Sequence, residues 1–304
     1  MSSVTVRAPA KINLGLSVGG PRADGFHDVA TAYHAISLQD ELVAAASEEL
    51  SIALTTADGI PLDDVPQDSS NLAVAAALAL AERAGVEPLV RLHITKSIPV
   101  AGGMAGGSAD AAAALVACDA LWQTGLSRSE LAELAAELGS DVPFSLVGGT
   151  ALGTGRGEVL TPVLARGRFH WVVAIADGGL STPDVYAECD RLRGGTPVPE
   201  PRVADALMAA LRTGDADALG AALHNDLQKA ACSLRPSLRE TLETGTQAGA
   251  LGSLVSGSGP SVVFLARSPE HAIDIAVALS ATGTCRSVRR AHGPVAGARV
   301  VGDG

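Results

Sequence analysis

The stretch from Ile98 to Asp110, Ile-Pro-Val-Ala-Gly-Gly-Met-Ala-Gly-Gly-Ser-Ala-Asp, constrains this chain more than any other. Gly102, Gly103, Gly106 and Gly107 run without a break into an alanine-rich segment that reaches Asp119, so the pattern predicts a glycine loop entering a helix. Upstream, Val90, Leu92 and Ile94 alternate with Arg91, His93 and Thr95, the period of a half-buried strand. Glycines let main-chain N–H groups turn toward an anion with no Cβ in the way, and the helix adds further N–H groups and the positive end of its dipole. The stretch therefore reads as a phosphate cradle. Ser108 falls where a helix N-cap belongs, and its hydroxyl can equally face a nucleotide phosphate or an accompanying Mg²⁺. The alternative is a glycine turn that only packs a helix on a sheet.

Two familiar phosphate loops are excluded. A P-loop carries Lys-Ser or Lys-Thr after its last glycine, whereas Gly107 here is followed by Ser108 and no lysine. A dinucleotide fingerprint would need glycine at position 101, which is alanine, and an acidic residue about 20 positions on at the end of a second strand.

At 304 residues the chain exceeds what one core usually serves, and a change of pattern near 165 predicts an N-terminal domain over 1–165 and a second over 166–304. A net charge of −11 argues against nucleic acid and anionic membranes as partners, so local devices must hold any phosphate. The longest uncharged run is broken by Gly and Ser and makes a poor membrane span. Cys118, Cys189, Cys232 and Cys285 are scattered with no Cys-x-x-Cys spacing, which fits free thiols and a cytoplasmic home.

Val4 to Arg7 alternates like an edge strand, and Thr31–Leu38, Glu41–Ala45 and Leu50–Thr55 read as further strands. Lys11 and Asn13 share one strand face, a cation beside an amide; they suit a phosphate or a hydroxyl near one, or simply face solvent. Phe26-His27 after a tight turn offers a platform for a flat ring, or a core Phe beside a surface His. Polar residues ending at Asn71 cap a helix over 72–84 that Gly85 stops, and Ser127 with Glu130 caps another that runs to Leu138. Asp141, ahead of Val142-Pro143, is either a helix N-cap or a carboxylate that orients a substrate hydroxyl and takes its proton.

Beyond 165, a strand over 171–175 and a helix opened by Ser181-Thr182-Pro183 precede a proline-rich linker, and helices follow at 203–212, 216–224 and 238–248. Strands at 252–255 and 261–265 flank Ser256-Gly257-Ser258-Gly259-Pro260, a second glycine turn able to close over phosphates or serve as a plain hairpin turn. A helix over 270–280 and a strand over 285–289 complete what reads as a ferredoxin-like α+β layer.

Pro9-Ala10-Lys11-Ile12-Asn13-Leu14, the Ile98–Asp110 loop and Gly257-Ser258-Gly259-Pro260, in that order, resemble the three motifs of the GHMP kinases, small-molecule kinases such as those of homoserine and mevalonate. The resemblance implies a two-domain α+β architecture, an N-terminal domain like ribosomal protein S5 domain 2 and a C-terminal ferredoxin-like one, with the active site in the cleft between them. It implies ATP and Mg²⁺, a small-molecule substrate, and a monomer or homodimer. The loop over Pro99, Val100, Ala101, Gly102, Gly103, Met104, Ala105, Gly106, Gly107, Ser108 and Ala109 matches the ATP site, and Lys11 with Asp141 matches the catalytic pair. Arg22-Ala23-Asp24-Gly25-Phe26-His27 and Gly139 to Phe144 resemble the family member that phosphorylates the 2-hydroxyl of a cytidine diphosphate-linked methylerythritol in non-mevalonate isoprenoid synthesis. By that likeness Asn13, His27 and Thr182 contact substrate, and Phe26 and Tyr186 clamp the cytosine, with Phe26 lacking the hydroxyl of the tyrosine common there.

Overall fold

The computed structural model describes residues 3–57 and 60–302. The first part of the chain forms β1 (Ser3–Pro21), β2 (His27–Ala46), β3 (Ser51–Thr56), α1 (Leu72–Ala84), β4 (Val90–Lys96), α2 (Gly106–Trp122), α3 (Arg128–Leu138), α4 (Val142–Val147), β5 (Thr150–Thr154) and β6 (Val159–Pro162). Strands β1, β2, β4 and β3 lie side by side in that order, while β5 joins β2 to β6. Leu50–Thr55 forms β3 nearly as expected, but the other expected short strands prove to be pieces of two long ones. Val4–Arg7 continues through Lys11 to Pro21, and Thr31–Leu38 is continuous with Glu41–Ala45. Register shifts at Pro9/Ala10 and Asn13/Gly15 absorb the proline and the glycine as bulges, so the pairing survives residues that normally end a strand.

Helix α2 packs against α1, α4, β1 and β2, which is why it is so rich in alanine: Ala109, Ala111–Ala114 and Ala117 are all buried, and only small side chains admit neighbours on every side. The caps of α1 and α3 form as expected. Asn71 accepts from Ala73 N–H and Gly85 takes a left-handed φ of 68°, while Ser127 and Glu130 complete a capping box.

The chain continues through β7 (Phe169–Ile175), α5 (Thr182–Arg193), α6 (Asp205–Thr213), α7 (Ala216–Ala222), β8 (His224–Asn225), α8 (Gln228–Leu234), α9 (Ser237–Gln247), β9 (Gly252–Val255), β10 (Val262–Ala266), α10 (Pro269–Thr282), β11 (Ser287–Gly293) and β12 (Arg299–Val300). The second sheet runs β11-β7-β10-β9, antiparallel throughout, which is the strand order of a ferredoxin-like layer. Two short strands return to the first sheet. β8 pairs with β1 at Gly15 and Leu16, and β12 pairs with it at Val6 and Arg7, so Val4–Arg7 is not an edge. The helix expected to reach His224 stops at Ala222 because the next residues join that sheet. One apolar core links both parts of the chain, with Ile12 and Leu14 of β1 in the same cluster as Trp171, Val173, Val263 and Leu265.

Among the described residues the cysteines are free thiols, no helix is long and apolar enough to cross a membrane, and no cluster of metal-ligating side chains occurs.

Candidate active site

Both glycine motifs fold onto one another. At Gly103 the backbone has φ 74° and an added Cβ would lie 2.2 Å from the carbonyl oxygen of Ser256, so neither loop could approach the other around a larger residue. Ser256 Oγ donates to the Gly103 carbonyl at 3.2 Å, Ser261 N–H donates to Gly102 at 3.3 Å, and Lys11 N–H donates to Met104 at 3.2 Å. The glycine loop is thus pinned by β1 on one side and by the β9–β10 turn on the other. That turn is held in its own right: Asn225 Nδ2 donates to the carbonyls of Val255 and Gly257 at 2.7 and 2.8 Å, and Ser258 shares a 2.9 Å hydrogen bond with Thr182.

Ser108 does not cap α2. The cap position belongs to Ala105, in the left-handed region at φ 57°, and no side chain bonds the helix end. The left-handed turn at Ala105 starts the helix three residues early and places Ser108 in its first turn. The first intrahelical bond is Ala109 N–H to Ala105 at 2.9 Å, so the N–H groups of Gly106, Gly107 and Ser108 lie ahead of the helical ladder at its positive end. Pro99 to Gly103 and Ala105 to Ser108 line a cleft of about 850 Å³, while Met104 and Ala109 are fully buried in the core behind it.

The same cleft takes in Lys11 and Asp141, from β1 and the start of α4. Lys11 is no surface lysine: it is 6 % exposed, and its Nζ donates to Asn13 Oδ1 at 2.7 Å. Asn13 Nδ2 donates to Thr31 Oγ1 at 2.7 Å, and that hydroxyl donates to the Gly15 carbonyl at 2.8 Å, so a chain of buried hydrogen bonds fixes where the ammonium points. Asp141 occupies the cap position of α4 but makes no cap bond there. Its carboxylate instead faces Lys11 Nζ at 3.5 Å. Tyr33, which the sequence did not single out, completes this corner: Lys11 Nζ sits 5.3 Å from its ring centroid. Burial, with the Asp141 carboxylate close by, holds its hydroxyl well above the usual phenol range, so it stays a neutral donor.

The cleft also takes in Phe26, His27, Thr182 and Tyr186. His27 is buried, with its ring 5.0 Å from that of Tyr186, and its Nε2 lies 3.0 and 3.1 Å from the two oxygens of Asp190. Burial first, then the Asp141 charge, pushes the Tyr186 hydroxyl up to about 12. Phe26 is half exposed at the rim with the Arg156 guanidinium 5.2 Å from its ring. Asn13 and Gly257 meet here too, since an added Cβ on Gly257 would lie 3.2 Å from Asn13 Oδ1 and 3.5 Å from Lys11 Nζ. Gly257 and Ser258 line the cleft, while Gly259 is buried behind them.

A second charged group was not foreseen. Lys96, at the end of β4, lies between the carboxylates of Asp40 and Asp110, donating to Asp110 Oδ2 at 2.6 Å and to Asp40 Oδ2. Asp110 was visible as the one acid in an alanine run, which is the only sequence signal that could have flagged it.

Two family models match the chain, one described as the GHMP kinases N terminal domain over residues 71–149 and the other as the GHMP kinases C terminal over residues 207–285. The chain belongs to the GHMP kinases. This GHMP kinase is 60 % identical over 299 residues, 98 % of its length and all of the relative's, to the 4-diphosphocytidyl-2-C-methyl-D-erythritol kinase of Streptomyces avermitilis. To the protein of the same name from Thermobifida fusca it is 58 % identical over 99 % of both chains. A solved 4-(cytidine 5'-diphospho)-2C-methyl-D-erythritol kinase superposes with a TM-score of 0.77 at 35 % identity, over 95 % of this chain and 98 % of the other. A homoserine kinase from Cytophaga hutchinsonii, 21 % identical with a TM-score of 0.74 over 99 % and 98 % of the chains, shares the fold.

Proposed function

We propose that this GHMP kinase transfers the γ-phosphoryl group of ATP to the 2-hydroxyl of 4-diphosphocytidyl-2-C-methyl-D-erythritol, giving the 2-phosphate and ADP in non-mevalonate isoprenoid precursor synthesis. The observation that carries this reading is the 3.5 Å approach of Lys11 and Asp141 inside a cleft that also takes in an amide-rich loop and the His27–Tyr186 ring pair. Its relatives' names supply the substrate.

Phosphoryl transfer needs positioning and charge neutralisation more than covalent chemistry. The N–H groups at the head of α2 hold the phosphates, and the oriented Lys11 ammonium meets the charge that builds on the transferring group. Asp141 aligns the substrate hydroxyl and accepts its proton as the new oxygen–phosphorus bond forms and the bond to the ADP oxygen breaks. Ser108 and Asp141 line the same cleft and are the side chains that would hold Mg²⁺ beside the nucleotide. Bound there, Mg²⁺ would neutralise phosphate charge. At the other end Tyr186 and Phe26 offer aromatic faces to cytosine, and His27, held by Asp190, offers a hydrogen-bonding edge.

The test is ADP release with 4-diphosphocytidyl-2-C-methyl-D-erythritol, homoserine or mevalonate as acceptor, with the product identified by ³¹P NMR. The proposal expects ADP and a new phosphomonoester signal with the first compound alone; turnover with either of the others, or none with the first, overturns it.

A further inference from the structure

Under the glycine loop three charged side chains from three elements meet away from water: Asp40 of β2, Lys96 of β4 and Asp110 of α2, each 3 % exposed or less. Burying two carboxylates around one ammonium costs more than a well-packed apolar trio would, so its use must lie in what apolar groups cannot do. Asp40 shows that use. While Oδ2 accepts from Lys96, Oδ1 accepts the main-chain N–H groups of Ser97 and Ile98 at 2.5 and 2.8 Å, the two residues that begin the loop. Lys96 then reaches the far end of the loop, since its Nζ would lie 3.4 Å from a Cβ on Gly106, the first residue of α2, and it bonds Asp110 one turn on. Entry and exit of the loop are tied to one ammonium.

Asp110 Oδ1 has no partner in this buried setting. Burial pushes Asp110 up to about 8 in spite of Lys96, with Asp40 adding to the rise.

We propose that Asp40, Lys96 and Asp110 form a positioning cluster that sets the shape of the phosphate loop before nucleotide arrives. Asp40 and Asp110 are positioning residues: they act through loop amides and Lys96 and touch no reacting atom. The inference rests on the loop being the nucleotide cradle, and its test separates the two.

MgADP and CDP binding are measured by calorimetry for the wild-type chain, Asp40→Asn and Asp110→Asn, alongside KM for each substrate and amide exchange at Ser97 and Ile98 in the wild type. Expected are MgADP affinities weakened about tenfold or more, with a matching rise in KM for ATP, CDP affinity unchanged, and both amides protected without nucleotide. Wild-type MgADP affinity in both folded variants overturns the proposal, as does equal loss of MgADP and CDP. If neither variant folds, the wild-type exchange decides: protected amides support the proposal, and amides that exchange freely until nucleotide binds overturn it. A wild-type chain that binds no MgADP overturns the nucleotide reading itself.

Discussion

The molecule uses lysine and aspartate twice, within one fold and around one cleft, to opposite ends. In the Lys11–Asp141 pair the carboxylate is 28 % exposed and stands 3.5 Å from the ammonium, with no hydrogen bond to its own helix end. In the Asp40–Lys96–Asp110 group the contacts are hydrogen bonds and the side chains are 4 % exposed or less. The open carboxylate keeps acceptor capacity for a substrate hydroxyl, whereas the closed one at Asp40 has both oxygens occupied by Lys96 and loop amides. Between Asp141 and Asp40, residue type does not separate chemistry from scaffolding; the hydrogen-bonding capacity each has left does.

Substitutions can break that distinction. Asp141→Asn should lower kcat by about 10²–10⁴ while the melting temperature and the affinity for MgADP stay near wild type; near-normal turnover in steady-state assays would remove Asp141 from the catalytic pair. Lys96→Met should strike the fold itself, removing the cation from between Asp40 and Asp110 and destabilising the chain by about 3–5 kcal/mol, read from chemical denaturation. An unchanged midpoint would mean that the closed cluster holds nothing. A smaller effect sharpens the substrate end: His27→Ala removes the ring contact to Tyr186 and the Asp190 hydrogen bond, and should raise KM for the cytidyl substrate about tenfold, with KM for ATP unmoved.

The smallest effect is one of pH. His34 is fully buried, with Nδ1 bonded to Thr150 at 2.8 Å and Nε2 without a partner, and burial lowers it to about 3 from an ordinary 6.5. The unfolded imidazole therefore takes a proton before the folded one. Stability is complete above pH 6.5 and falls as pH drops toward 3. Between pH 6.5 and 5.5 this site should cost about 1 kcal/mol, a slope that His34→Leu should flatten in denaturation curves.

The sequence made legible whatever is local. The glycine loop entering a helix, the Asn71 and Ser127 caps and the turn at Gly85 depend on neighbours within one or two turns, and they form as read. Distance hid the rest. Lys96 is 56 residues from Asp40 and 14 from Asp110, so no spacing rule links them. The full length of β1 was obscured because Pro9 and Gly15 normally break strands, and only pairing across the sheet turns them into bulges. The cap of α2 lies three positions ahead of Ser108 because a left-handed alanine starts the helix, a conformation that alanine composition does not announce. Tyr33 gave no signal, since its significance is its place beside Lys11 and Asp141.

A crystal structure of the chain with a non-hydrolysable ATP analogue and 4-diphosphocytidyl-2-C-methyl-D-erythritol tests the central claim most directly. It should show phosphate oxygens on the N–H groups at the head of α2, with the substrate's 2-hydroxyl about 3 Å from the Asp141 carboxylate and the terminal phosphate beside Lys11. A nucleotide bound elsewhere, or an acceptor hydroxyl out of reach of Asp141, would contradict it.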